Sequence, residues 1–247
     1  MTSGEGAELP GSIQVLWDLR NRQQRGRRGL STARIVEAAI EFADENGLGA
    51  LSMAKVAERL DFATMSLYRH VASKDELQAL MLDMAYGPPP APADGEEDWR
   101  PGLERWARAF ADVFRRHPWM LQIPLGGPPL EPGQLSWLEC GLRTLGRNGL
   151  TPGDKLSVML LLIGYVRNSA QQRGGLERPD VSEAELMAAY GQAMDKFVDA
   201  ATFPAVRELL EAGTFEAAED DFSFGLQRVL DGIEVLIALR AGRRLLD

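Results

Sequence analysis

The chain has 247 residues, 45% apolar and 26% charged, with 27 Lys+Arg against 36 Asp+Glu for a net charge of −9. These proportions belong to a folded globular protein with a sizeable core and exclude collagen-like, disordered and disulfide-scaffold classes. The lone Cys140 cannot form an internal bridge, Met1 to Leu19 lacks a cationic segment followed by a long apolar run, and the apolar stretch Val158 to Val166 is far shorter than the roughly 20 residues of a membrane span. A cytoplasmic protein with no membrane association is expected.

Charge is unevenly spread. Arg20, Arg22, Arg25, Arg27, Arg28 and Arg34 fall within residues 20 to 34 with no acidic residue among them, whereas residues 81 to 247 are net acidic. Such a run is either a solvated tail or the electrostatic footprint of a polyanion. Just before it, Ile13 to Arg20 suit a short helix around Trp17, or a segment that stays mobile until a polyanion neutralises the arm.

Further along, apolar residues recur at spacings of three and four, which predicts an all-α protein without strands. Ile35, Val36, Ala39, Phe42 and Ala43 make one stripe, opened by Ser31 as N-cap and closed at Gly47, with Leu30 and Ile35 as a hydrophobic staple. A second, short helix opens at Ser52, with Leu51 and Val56 in the staple positions, and runs to about Leu60, where Asp61 marks a tight turn. The third spans Thr64 to Val71. A capping box, Ser73 to Glu76, starts the fourth.

From Gly87 to Asp98 the prolines and like charges can neither continue a helix nor pack a core, so a linker is expected there. Helical patterns then occupy about 99–116, 132–147, 152–173, 182–201, 204–211 and 219–241. Pro152 takes a first helical position after Thr151, and Ser182 to Glu185 is a second capping box, with Val181 and Leu186 as its staple. The expected organisation is an N-terminal extension with a basic arm (1–29), a helix-turn-helix domain (30–86), the linker (87–98) and a helical bundle (99–247).

Two short helices joined by a brief turn, the second presenting polar residues outward, form the pattern of a helix-turn-helix whose second helix enters the major groove. At 100° per residue, Leu67 and Val71 share one side of the Thr64–Val71 segment, Met65, Ser66 and Arg69 lie roughly opposite, and Tyr68 and His70 flank them. The apolar pair anchors, the outer residues meet base edges, and the phenol and imidazole reach phosphates.

Residues 31 to 86 resemble the DNA-binding domain of TetR-family transcriptional regulators. The likeness is carried by Ile35-Val36-Glu37-Ala38-Ala39, Leu51-Ser52-Met53-Ala54-Lys55-Val56-Ala57, Leu60, Met65-Ser66-Leu67-Tyr68-Arg69-His70-Val71 and Ser73-Lys74-Asp75-Glu76-Leu77. Asp61 stands where the family usually has glycine, and aspartate tolerates the left-handed conformation such a turn can require. Phe222-Ser223-Phe224-Gly225-Leu226 and Leu230-Asp231-Gly232-Ile233-Glu234 are similar to the last helix of the tetracycline-repressor-like subgroup. The resemblance implies a homodimer on a palindromic operator in double-stranded DNA. Its expected four-helix interface carries Val158, Leu161, Leu162 and Tyr165 on one helix, with Phe222, Leu226, Val229, Ile233 and Leu236 on the other. It implies DNA contacts at Ser52, Lys55, Thr64, Met65, Ser66, Tyr68, Arg69, His70 and Lys74, to which the sequence adds Arg25, Arg27 and Arg28 ahead of the first helix.

By the same resemblance, the C-terminal part senses a small, largely apolar or aromatic effector and, when occupied, releases DNA. Candidate pocket residues are Trp106, Phe110, His117, Trp119, Met120, Trp137, Met159 and Arg167, which combine aromatic or flexible bulk with a few polar handles. No metal and no cofactor are expected, since His117 lacks Cys or carboxylate companions at ligand spacing. No G-x-S-x-G, phosphate-binding glycine loop or H-E-x-x-H is present, so the chain does not read as an enzyme. An all-helical interaction module, or a regulator without a small-molecule effector, is the alternative.

Overall fold

A computed structural model describes residues 11–22, 29–91, 98–124, 130–146, 148–174, 181–215 and 220–244. Its helices are α1 (Gly11–Arg22), α2 (Thr32–Asn46), α3 (Met53–Leu60), α4 (Thr64–Leu67), α5 (Lys74–Ala85), α6 (Trp99–Arg116), α7 (Pro132–Thr144), α8 (Pro152–Gly174), α9 (Glu183–Asp195), α10 (Pro204–Glu211) and α11 (Asp221–Arg244), with 3-10 turns at Leu48–Ala50 and Pro118–Gln122. No strand occurs among the described residues. The protein is all-α, with a helix-turn-helix unit ahead of a helical bundle.

Local chemistry explains the first domain. Ser31 Oγ accepts from Arg34 N at 3.3 Å to open α2, and Ile35, Val36, Ala38, Ala39 and Ala43 bury its inner face. Ser52 caps α3 the same way through Lys55 N. Asp61 ends α3 in the left-handed region, φ 59° and ψ 45°, which directs the chain straight into α4. Arg59 bridges to Glu45 at 2.7 Å and Glu41 at 3.2 Å, bracing α3 against α2. Those two carboxylates hold the guanidinium firmly protonated, and Arg59 in turn lowers the Glu45 carboxyl.

Several boundaries differ from expectation. The third helix stops at Leu67 rather than Val71, and residues 68 to 70 form a tighter turn in which His70 N and Val71 N both bond to Leu67 O, at 2.8 and 3.0 Å. The cause is the next cap: Ser73 must be extended, φ −151°, to accept from Glu76 N, so the backbone leaves the helix before it. Glu76 reaches back to Ala72 N instead of Ser73 N, so this box is not the reciprocal one expected. The Ser182 and Glu185 box is complete. Helix α9 ends at Asp195, short of 201, because the Asp199 side chain takes Ala201 N and Thr202 N into a local turn.

The segment around Trp17 is a helix packed on the rest. Ile13 and Leu16 are buried, Trp17 Nε1 donates to Leu130 O at 3.1 Å, and Arg20 donates to Pro132 O and Ser136 Oγ. Arg20 therefore belongs to a packing contact and not to a free cationic arm. The start of the expected linker is also anchored. Trp137 Nε1 donates to Tyr86 O and Gly87 O, and Cys140 to Pro90 O. One apolar core runs from Leu16 and Ile35 through Trp106 to Leu226 and Ile233.

The Asp61 geometry gives a direct test. Asp61→Val, with a branched Cβ in the left-handed region, should lose about 1–2 kcal/mol in denaturant melts, while Asp61→Gly should lose nothing. Equal losses would show that the turn does not depend on that conformation.

Candidate nucleic-acid interface and aromatic core

Helix α4 is a single turn held by Leu67, fully buried, with Val71 beside it at 1% exposure. On its outer side Met65 is 71% and Tyr68 44% exposed, and Arg69, His70 and Lys74 are also exposed. Thr64 and Ser66 are half-buried at the helix edge. The structure thus brings Thr64, Met65, Ser66, Tyr68, Arg69, His70 and Lys74 together around one short projection. Ser52 and Lys55 sit at the start of α3, but the Ser52 hydroxyl is occupied as N-cap acceptor. Lys55 Nζ rests 3.0 Å from Glu58, an exposed pair that contributes little and leaves the ammonium available to another anion. Arg25, Arg27 and Arg28 lie outside the described residues.

The eight bundle candidates divide into two sets. Trp106, Phe110 and Trp137 touch by their rings, with centroids 4.9 to 5.8 Å apart, in a cluster that also takes in Tyr86 and Phe114. Met159 closes one end: a Cβ on Gly141 would fall 2.1 Å from Met159 Cε, so glycine is what lets α7 approach α8 there. Met120 is buried in the same core. Arg167 lies over the Phe114 ring at 5.8 Å and donates to Ile123 O and Leu121 O. Burial pushes the Tyr86 phenol up to about 12, against the pull of Arg167, so it stays neutral.

His117 and Trp119 point elsewhere. His117 Nδ1 and Trp119 Nε1 both meet Asp44 Oδ1 on α2, at 2.8 and 2.7 Å. They tie the helix-turn-helix unit to the bundle. A second carboxylate does the same: Asp83 on α5, 5% exposed, accepts from Gly133 N and Gln134 N in the first turn of α7. Sequence reasoning missed Asp44, Asp83, Tyr86 and Phe114. Phe114 alone had a signal, its position four residues after Phe110. Among the described residues no three His, Cys, Asp or Glu side chains gather as a metal site, and no helix is long and apolar enough to cross a membrane.

Of the residues expected at a dimer interface, Val158, Leu162, Phe222, Leu226 and Ile233 are buried within their own chain, Tyr165, Val229 and Leu236 are half-buried, and Leu161 is exposed; Leu156, Leu160, Phe224, Val235 and Leu239, which were not among those expected, are also exposed on α8 and α11. The sequence places both sets at helical spacing and does not say which side of each helix the chain covers itself.

A short exposed helix braced behind a left-handed turn, with an aromatic-cored bundle attached, is the geometry of a helix-turn-helix DNA-binding protein with a second helical domain. Residues 23–80 match the bacterial regulatory proteins of the tetR family, and residues 91–237 the tetracyclin repressor-like C-terminal domain. The chain belongs to the TetR family: it is a DNA-binding transcriptional repressor and not an enzyme. It is 40% identical over 247 residues to the HTH-type transcriptional repressor DrrR1 of Streptomyces coeruleorubidus, covering 98% of this chain and 91% of that protein. With the tetracycline repressor protein class D of Escherichia coli it shares 27% over 214 residues, covering 83% and 90% of the two chains. The crystal structure of the Streptomyces coelicolor TetR family protein ActR in complex with actinorhodin is similar at a TM-score of 0.69 and 27% identity, over 83% of this chain and 96% of that one.

Burial raises the Asp83 carboxyl above its ordinary 3.8, with the Gly133 and Gln134 amides and Arg20 pulling it down and Glu131 adding to the rise. The folded chain therefore holds this proton more tightly than the unfolded one. Its ionised form costs stability at neutral pH, and that cost fades as pH falls through the raised value. Asp83→Asn should gain on the wild type most at about pH 7 and least at about pH 4, read from denaturant midpoints. A gap that widens toward acid would contradict the assignment.

Proposed function

We propose that the protein is a cytoplasmic homodimeric repressor that leaves a palindromic operator when a small, largely apolar or aromatic effector enters the bundle. The observation that carries this reading is the exposed apolar stripe on α8 and α11. Leu160, Leu161, Phe224, Val235 and Leu239 are each more than half exposed on two helices that pack on each other, and large apolar side chains gathered in this way mark an interaction surface. Paired with its symmetry copy, this face closes an isologous interface and presents two α4 helices on one side. Two heads related by a two-fold axis require an inverted repeat, with half-sites about one helical turn apart.

On each half-site, Thr64, Met65, Ser66 and Arg69 choose the bases, with Arg69 suited to guanine and Met65 or Thr64 to a thymine methyl. Tyr68, His70, Lys74, Lys55 and Ser52 orient the helix on phosphates, and Arg25, Arg27 and Arg28 add phosphate or minor-groove contacts. We place the reading domain at 30–86 and the sensor at 99–247. The effector site is the ring cluster of Trp106, Phe110 and Trp137 with Met120, Met159 and Arg167. Its packed, mostly apolar rings offer a flat ring system partners of the same kind once they part to admit it, and ActR, similar in fold, is known in complex with actinorhodin. Release then requires only that the effector bind more tightly to the conformation in which the two α4 helices no longer match the operator.

Sedimentation combined with footprinting tests the reading. The protein should weigh as a dimer and protect an inverted repeat near its own promoter. Leu160→Glu with Val235→Glu should give folded monomer that no longer protects it. A wild-type monomer, or no protected repeat, would overturn the proposal. Replacing Arg27 and Arg28 with Ala should weaken binding to all sequences alike and, with two arginines lost from each half of the dimer, reduce the slope of log affinity on log salt by about 4; an unchanged slope removes the arm from the interface.

A further inference from the structure

The first turn of α7 is gripped from two sides. From α5, the Asp83 carboxylate accepts Gly133 N at 2.9 Å and Gln134 N at 3.1 Å, taking up amides that α7 cannot satisfy internally and facing the positive end of its dipole. The approach is close enough to exclude any side chain: a Cβ on Gly133 would sit 2.5 Å from Asp83 O and 2.6 Å from its Oδ1. From α1, Arg20 Nη1 donates to Pro132 O at 3.1 Å and to Ser136 Oγ at 2.9 Å, while Leu16 beneath it is buried. Helix α1 thus straps the first turn of α7 to the last helix of the reading domain.

What this joint controls follows from what lies on either side. Inward, α4 shares one buried core with α5 through Leu67, Val71 and Leu77, so the two move together. Outward, α7 packs on α8, which carries the exposed dimer stripe. Between the two-fold axis and each reading helix, the joint is a polar, directional contact, and polar contacts with few acceptors fix one relative position where an apolar seam would allow sliding.

We propose that Asp83 and Arg20 are specificity determinants acting at a distance: they set the separation of the two reading helices and so the half-site spacing the protein accepts. This rests on the two-headed reading above. Neither residue touches DNA; they are positioning residues, and loosening the joint leaves each head able to read its own half-site.

The test uses the full-length wild type, Asp83→Ala, Arg20→Ala and Arg20→Lys. Affinities are measured for the footprinted operator, for a single half-site, and for operators with one or two base pairs added or removed between half-sites. The wild type should favour its own spacing by about tenfold or more, and both alanine variants should reduce that preference to about twofold while binding the half-site within about twofold of wild type. Arg20→Lys, which keeps a donor for Pro132 O, should recover part of the lost preference. Spacing preference unchanged in both alanine variants overturns the proposal, as does a half-site loss as large as the loss on the full operator. A wild type that binds half-site and full operator equally would instead refute the two-headed reading itself.

Discussion

A reading helix of four residues cannot hold itself in place, because so short a helix is unstable alone and its direction comes entirely from its anchor. Here the anchor is the burial of Leu67 and Val71 in the apolar core, with α4 packed on α3. Every contact proposed for DNA depends on that burial, since it turns Met65, Tyr68, Arg69 and His70 outward together. Arg59 between α3 and the α2 carboxylates, and the left-handed Asp61 between α3 and α4, restrict the same small unit further. The domain is rigid where it meets DNA, so any change in operator affinity has to come from moving it as a body.

That body is attached to the bundle by two carboxylates of its own, Asp44 and Asp83, each accepting from donors across the boundary. A purely apolar seam would be stickier per unit area but less particular about position. Buried or half-buried acceptors with specific donors behave in the opposite way: they contribute little net stability and define a narrow geometry. Held in this way, the reading domain has a definite position that costs little to leave.

Much of this was legible from local signals. Ser31, Ser52 and Ser182 cap the helices their spacing predicted, and the left-handed Asp61 was expected from the turn it occupies. What could not be read was anything decided across long sequence separations. Asp44 and Asp83 look like ordinary solvated acids until the chain segments near 117 and 133 are folded against them. Arg20 reads as one of a cationic run until α7 supplies its acceptors. The two-sided amphipathy of α8 and α11 has the same ambiguity. Leu161 and Leu162 are adjacent and equally apolar, yet one faces solvent and the other the core, and only the position of α6 and α11 separates them.

The aromatic core shows why sequence reasoning grouped together residues that the fold divides between two settings. Trp106, Phe110, Trp119 and Trp137 are alike in bulk, and bulk is all the sequence reports. In the folded chain the Trp106 indole donates to Trp137 O inside the cluster, whereas the Trp119 indole donates out to Asp44. The first kind of contact locks the rings against one another inside the core. The second links that neighbourhood to the reading domain. Trp119 and Met120 share one 3-10 turn and both are buried, so the indole bonded to Asp44 belongs to the same apolar core as the ring cluster. The Asp83 joint meets that core as well: Trp137 on α7 donates to Tyr86 O just past the end of α5, and the Tyr86 ring stacks on Phe110, so both carboxylate joints border one aromatic cluster.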